Sequence, residues 1–330
     1  MKYIISTTND TAYNVALEEY AFKNLLDDDE IFMLWINQPS IIIGKNQNGL
    51  AEIDSDYVRE KGIRVIRRIS GGGAVYHDYN NLNYTLIAPR KNENAFDFQA
   101  FSLPVIKALA KLGLTATFSG RNDIEIDGKK ICGNAQAYSK DRLLHHGCIL
   151  FNVDLSVLGK ALTVKPDKIK SKGVKSVRSR VTNIYDELEN KINIAEFQQA
   201  IFDEVKATRP DMTAYEFSQE DLAAIKKLAE WKASWEWNYG KSPQYDLHKE
   251  KRFSSGNIEV LMETKHSILQ NITFYGDFFG VRDVQELASA LQGLTLNENE
   301  IREKVSHLEY PISAYFNGIS EEEFIQLIMP

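Results

Sequence analysis

Residues 122–136 read NDIEIDGKKICGNAQ, and this stretch decides between two kinds of sheet. Ile124 and Ile126 alternate with Glu125, as a half-buried strand requires. Asp127-Gly128 is a dipeptide suited to a two-residue hairpin turn. A hairpin joins antiparallel neighbours, whereas parallel strands need a long crossover. The run LLHHGCILFNVD (143–154) supplies a further strand. Toward the N-terminus, strands are predicted at 2–6, 31–37, 40–47 (joined to the previous one at Gln38-Pro39), 63–68, 74–78 and 82–88. Helical periodicity appears after Asn9-Asp10-Thr11, on Val15, Ala16, Glu19, Tyr20 and Phe22. It returns at 54–61, at 98–113 around Pro104, at 194–207 and at 219–232. Strands and helices interleave without a regular β-α-β rhythm. The expected fold is therefore α+β, with a mixed, largely antiparallel sheet and flanking helices.

A polar stretch rich in Trp and Tyr (234–252) follows the last of these helices. Beyond it, two alternating segments (256–265 and 266–275) and two helices (283–292 and 297–306) predict a small α/β accessory domain. The division expected is 1–245 for a catalytic domain and 246–330 for the accessory one.

Composition narrows the function. A formal net charge of −7 argues against a chain built to hold nucleic acid, leaving polyanion binding to local patches. Two cysteines, Cys132 and Cys148, cannot make a disulfide framework and suit a reducing compartment. No run approaches the ~18 apolar residues of a membrane span, and the first residues lack a secretory signal. A soluble cytoplasmic protein is expected.

Four features carry chemistry. RRISGGGAVYHD (67–78) sets three glycines beside two arginines. A hairpin turn needs one or two glycines, so the third points to close backbone approach by an anion. Arg67 and Arg68 are suited to bidentate recognition of phosphate or carboxylate. In the second feature, Lys130 follows the Asp127-Gly128 turn, with small Gly133 and Ala135 on the same strand. A strand lysine is ordinarily a solvated one. The small neighbours and the preceding Asn122-Asp123 pair favour a charge stabiliser beside phosphate. Third, His145 and His146 are adjacent on a strand and must face opposite ways, which rules out joint metal ligation. The basic run 165–180 is the fourth. It reads either as a solvated loop or as a cationic loop that closes over phosphate.

In this order the features resemble the lipoate–protein ligase family, whose catalytic fold is shared with biotin ligases and octanoyl transferases. The resemblance rests on NVALEEY (14–20), LWINQPSIIIGKNQN (34–48), VIRRISGGGAVYHD (65–78), NLNYT (81–85), GRNDI (120–124), DGKKICGNAQ (127–136), HHGCILFNVDL (145–155), KGVKSVRSRVTNI (172–184) and WEWNYGKSPQY (235–245). It implies ATP-dependent formation of lipoyl-adenylate, then transfer of the lipoyl group to an acceptor lysine. The acceptors it implies are lipoyl domains of 2-oxoacid dehydrogenase acyltransferase subunits or the glycine-cleavage H protein.

Carried over by motif, Lys130 bridges carboxylate and α-phosphate. Arg68, Ser70, Gly71, Gly72 and Gly73 line the carboxylate and phosphate end, and Gly73 to Tyr76 (with Ala74 and Val75) cradle the nucleotide. Asn122 and Asp123 lie on the adenylate side, Asp123 also as a magnesium contact. Ala135 and His146 touch the acyl group or adenylate, and Leu17 and Trp35 wall the acyl tunnel. Lys172, Gly173, Ser176, Arg178 and Arg180 belong to the loop that orders over the adenylate. ATP and Mg2+ are the cofactors implied, lipoate is the substrate, and a monomer is expected.

The rival reading is an octanoyl or lipoyl transferase working through a cysteine thioester. Cys132 lies two residues after Lys130 and is expected on the same strand face. A non-catalytic acyl-adenylate binder is a further alternative, against which an intact Lys130 weighs.

Overall fold

The computed structural model describes residues 1–25, 29–47, 49, 53–89, 98–119, 122–139, 141–161, 180–239, 247–265 and 268–329. They form two compact units. The first comprises Met1–Ile43, Leu50–Arg67 and Ala74–Asn238, the second Gly44–Gly49, Arg68–Gly73 and Tyr239–Pro330.

The strands of the first unit are β1 (Lys2–Ile5), β2 (Ile31–Trp35), β3 (Ser40–Ile43), β4 (Arg64–Arg67), β5 (Val75–His77), β6 (Asn81–Pro89), β7 (Thr117–Ser119), β8 (Asp123–Ile126), β9 (Lys129–Tyr138), β10 (Arg142–Leu150) and β11 (Thr213–Ala214). Its longer helices are α1 (Thr11–Asn24), α2 (Phe98–Lys111), α3 (Ile194–Thr208) and α4 (Gln219–Ala233). Among the described residues the large sheet has eight strands in the order β11-β1-β2-β6-β10-β9-β8-β7. β1 runs parallel to β2 and β11, and every later pairing is antiparallel. The mixed, largely antiparallel α+β architecture expected from the sequence is the one observed. β2 and β3, joined through Gln38-Pro39, belong to different sheets. β3 sits in a small sheet of order β4-β3-β5.

The Asp127-Gly128 turn between β8 and β9 has φ of 49° and 72°, the left-handed pair that a tight hairpin of this twist demands. One face of the large sheet carries the core. Phe32, Leu34, Leu82, Tyr84, Ile124 and Ile149 pack there with Val105 and Leu109 of α2 and with Phe197 and Ile201 of α3.

α1 differs from the amphipathic helix that its sequence suggests. Its buried residues include Thr11, Asn14, Glu18 and Glu19, so it is enclosed on more than one side. Each of these polar groups has partners, as burial requires. Asn14 donates to the carbonyls of Thr8 and Ile36, both at 3.1 Å, and Glu19 pairs with Lys23 at 2.7 Å and with buried Lys232 of α4. Lys232 also lies 3.4 Å above the Trp237 ring. Burial pushes the Lys232 ammonium down to about 8, against the opposing pull of Glu19. Asp10 caps the helix start by accepting from the Tyr13 amide at 2.9 Å, and the Arg142 guanidinium donates to the carbonyls of Ala21 and Phe22 at its end.

In the second unit, β12 (Leu247–Phe253), β13 (Gly256–Lys265) and β14 (Ile268–Gly276) form an antiparallel sheet. Helices at Val284–Leu291, Glu298–Ser306, Ile312–Tyr315 and Glu321–Ile328 complete it around Phe274, Phe316 and Phe324. β12 and the last two helices are absent from the sequence reading. β12 is an edge strand written largely in charge, HKEKR, which is how an edge avoids further pairing and also how a linker looks. The final helix does carry a readable signal, the capping box between Ser320 and Glu323.

Candidate functional site

The face of the large sheet opposite the core holds a polar and small-residue surface set by strand register. Trp35 pairs with Asn83, Asn83 with Cys148, Cys148 with Gly133, and Gly133 with Asp123. The neighbouring row runs Met33, Thr85, His146, Ala135. Side chains alternate along each strand, so directly opposed residues share a face. Five of the positions singled out in the sequence (Trp35, Asp123, Ala135, His146 and, through its side chain, Lys130) therefore meet on one surface.

Lys130 is placed by backbone and charge together. Its amide donates to the Arg180 carbonyl at 2.8 Å, and its carbonyl accepts from the Thr182 amide at 3.0 Å. Its Nζ lies 2.8 Å from Asp123 Oδ1, with both side chains about one-third exposed.

Lys130 and Cys132, expected on one strand face, do not share it. On β8, Ile124 and Glu125 are consecutive, yet they pair with Cys132 and Lys130, so β9 carries an extra residue at Ile131. This β-bulge shifts the side-chain alternation. Ile131 and Cys132 both enter the core cluster and are fully buried. Burial pushes the Cys132 thiol well above its ordinary range, which disfavours the thiolate that acyl transfer would need. Of the two thiols it is Cys148 that shares the site face, where it accepts a hydrogen bond from Asn81 Nδ2 at 3.0 Å. Cys132→Ser is expected to retain turnover within about threefold of the parent, checked in an assay of the ligation that the resemblance implies. An acyl adduct trapped on Cys132 would overturn this.

The two histidines face opposite ways. His145 is buried on the core side between Tyr84 and Gln136, with its Nε2 3.1 Å from the Tyr84 hydroxyl, and burial holds it neutral. His146 lies on the site face with Nδ1 2.8 Å from Glu18 Oε1. The same oxygen accepts from the Thr85 hydroxyl at 2.6 Å, and Thr85 in turn accepts from Trp35 Nε1 at 3.1 Å. Glu18 is 1% exposed and is the member of this hydrogen-bonded group that the sequence does not single out. A carboxylate only accepts, so Nδ1 of His146 carries a proton toward it. Leu17, next to Glu18, is itself buried. Glu18→Ala leaves His146 and Thr85 without their shared acceptor, at a cost of roughly 1–3 kcal/mol. The expected result is a lower denaturation midpoint, checked by thermal or chemical unfolding of the variant beside the parent.

Ala74, Val75 and Tyr76 continue from the glycine run into β5, where Val75 pairs with Ile42 and Tyr76 with Ile41. Burial, with Asp78 and Asp154 nearby, pushes the Tyr76 hydroxyl up to about 12. Asn122 anchors β8 to β9, its Nδ2 donating to the Asn134 carbonyl and its carbonyl accepting from the Asn134 amide at 2.9 Å. Lys172, Gly173, Ser176 and Arg178 lie outside the described residues, as do Gly120 and Arg121. Among the described residues no three His, Cys, Asp or Glu are grouped to hold a metal.

The glycine run belongs to the second unit. Arg68 donates from Nε to Ser70 Oγ at 3.0 Å and from Nη2 to the carbonyls of Gly71 and Gly73 at 2.7 and 2.8 Å. Its guanidinium thus shapes the loop from within. Gly72 has φ of 90°, and a Cβ there would lie 3.1 Å from the Phe279 ring. A Cβ on Gly71 would lie 2.4 Å from the Phe278 carbonyl oxygen, and one on Gly44 2.0 Å from that of Gly72. Bare backbone is required at all three. Arg67, by contrast, stays with the first unit and binds the carbonyls of Trp237 and Asn238.

The lipoyl protein ligase A/B catalytic domain matches residues 10–206, and the bacterial lipoate protein ligase C-terminus matches residues 242–328. Lipoate-protein ligase LplJ of Bacillus subtilis is 41% identical over 323 residues, 97% of each chain. The crystal structure of P. falciparum LipL1 in complex with lipoate superposes with a TM-score of 0.81 at 24% identity, covering 98% of this chain and 97% of that one. A lipoate-protein ligase A crystallised with ATP gives a TM-score of 0.63 at 27% identity, covering 72% of this chain and 98% of its own. No helix among the described residues is long and apolar enough to cross a membrane.

Proposed function

Because this chain belongs to the lipoate–protein ligase family, we propose that it joins lipoate to an acceptor lysine in two ATP-dependent steps. The lipoate carboxylate attacks the α-phosphorus of ATP and pyrophosphate leaves. The ε-amine of the acceptor lysine then attacks the acyl carbonyl of lipoyl-adenylate, and AMP leaves. The observation that carries this reading is the single sheet face on which Lys130 and Asp123 stand at one end of a surface continued by Ala135, His146 and Trp35. A carboxylate on a long apolar tail calls for a cation at one end and an apolar wall beyond it. Transfer at phosphorus asks for positioning and charge, with no protein nucleophile.

Lys130 neutralises the carboxylate and α-phosphate oxygens. Leu17, Trp35, Ala135 and His146 hold the acyl chain, with Glu18 and Thr85 fixing His146. Asn122 and Asp123 serve the adenylate side. Arg68, Ser70, Gly71, Gly72, Gly73, Ala74, Val75 and Tyr76 are assigned to the nucleotide by motif. Residues 165–180 are assigned to the adenylate by motif, and the bond from the Lys130 amide to the Arg180 carbonyl ties Arg180 to the reacting lysine.

Mg2+ fits as a companion of the ATP phosphates. Asp123, beside Lys130 on this face, could meet it, and the cation would supply charge neutralisation on those oxygens. The acceptors proposed are lipoyl domains of 2-oxoacid dehydrogenase acyltransferase subunits and the glycine-cleavage H protein, met by a monomer in the cytoplasm. The buried Cys132 weighs against the thioester transferase. Pyrophosphate release is the test: it should require both lipoate and ATP, and release without lipoate, or acyl transfer without ATP, would refute the reading.

A further inference from the structure

A glycine inside a strand needs a reason, since it loses more conformational freedom than any other residue and packs nothing. Gly133 lies within β9, and its φ is outside the left-handed region, so the backbone does not demand it. What it faces is Lys130. A Cβ at position 133 would sit 2.7 Å from Lys130 Nζ and 2.9 Å from Cε, with Asp123 Oδ1 next at 4.0 Å. Among the described residues, chain neighbours apart, these are the nearest atoms. The extra residue at Ile131 explains the geometry. The bulge turns Cys132 into the core and leaves Gly133 directly opposite Asp123.

We propose that Gly133 is a positioning residue for Lys130, its missing side chain providing the place where the ammonium lies against the strand beside Asp123. This inference rests on the role given to Lys130 above and adds how that charge is aimed. Among the described residues, a methyl group at position 133 strikes the flexible end of a lysine, so the strand can keep its course while the ammonium is pushed off the row that leads through Cys148 and Asn83 to Trp35. A charge that acts chiefly in the transition state, once misaimed, lowers kcat and kcat/KM together.

The test uses the full chain. Gly133→Ala is expected to lower kcat for lipoate-dependent pyrophosphate release roughly tenfold to a hundredfold, a share of the loss that removing such a charge outright produces, with KM for ATP and lipoate moving little. Affinity for a non-hydrolysable lipoyl-adenylate analogue should fall on Gly133→Ala in the parent and stay unchanged when the same substitution is made in Lys130→Ala, because coupled residues are not additive. Should Gly133→Ala fold poorly, adding Lys130→Ala should restore the melting temperature of the Lys130→Ala protein, since the group the methyl strikes is gone. Equal weakening in both backgrounds, or kcat within twofold of the parent, would overturn the proposal. If Lys130→Ala itself leaves pyrophosphate release intact, the role of Lys130 fails first, and this inference falls with it.

Discussion

Lys130→Ala should abolish lipoate-dependent pyrophosphate release while its circular dichroism spectrum stays that of the parent. The fold has little at stake in the side chain. Its ammonium is about one-third exposed, and its ion pair with Asp123 is of the solvent-screened kind worth about 0.2–1 kcal/mol. The backbone bonds that place residue 130, to Arg180 and from Thr182, survive truncation to alanine. The chemistry has much more at stake. Lipoate brings a carboxylate to a triphosphate, and two anions must approach before a bond can form. A fixed ammonium offsets that repulsion where charge accumulates, and removing a donor of this kind typically costs about 10²–10³ in rate. Pyrophosphate release and circular dichroism measured on one sample decide the matter. Turnover near that of the parent would show that Lys130 is an ordinary surface lysine.

The parts of this site that could be read from the sequence are the parts set by local chemistry. Asp127-Gly128 announced its turn because few dipeptides tolerate two left-handed residues, and both φ values are positive as required. The two histidines announced opposite faces because strand periodicity is two. Where an extra residue interrupts that periodicity, the reading failed. Ile131 and Cys132 are both apolar and both buried, and a fixed alternation placed Cys132 with Lys130 when the bulge places Gly133 there. Glu18 stayed hidden for a different reason. On a helix, charged residues read as the solvent face, but α1 is covered on more than one side and Glu18 answers to Thr85 and His146, 67 and 128 positions away. The glycine run was legible as a demand for bare backbone. Its immediate neighbours, Phe278 and Phe279, were not, since no local pattern links residue 71 to residue 278.

That distant packing gives the second large effect, on removal of residues 239–330. Read as sequence, the C-terminal region carries none of the adenylation motifs, and its loss would be expected to impair the overall reaction by altering closure and substrate affinity, without removing any group that touches the reacting phosphorus. The structure assigns Gly44–Gly49 and Arg68–Gly73 to the same compact unit as the C-terminal region. Gly71 and Gly72 lie against Phe278 and Phe279, the Gly72 amide donates to the Phe278 carbonyl at 3.4 Å, the Gly276 amide donates to the Asn46 carbonyl at 2.7 Å, and Lys45 pairs with Asp283 at 2.9 Å. Truncation therefore removes the support of both loops while leaving the large sheet's core, whose members run no further than Met212. A shortened protein should keep its secondary structure and lose roughly 100-fold in lipoate-dependent pyrophosphate release, the scale on which misplacing a binding element by about 1 Å is felt. Transfer from preformed lipoyl-adenylate should suffer less, because that substrate arrives with the phosphorus chemistry already done. Both half-reactions measured on residues 1–238 separate the cases. Adenylation at the parent rate would mean that the glycine loop holds its working shape without Phe278 and Phe279, and loss confined to transfer would move the role of the C-terminal region to the second step.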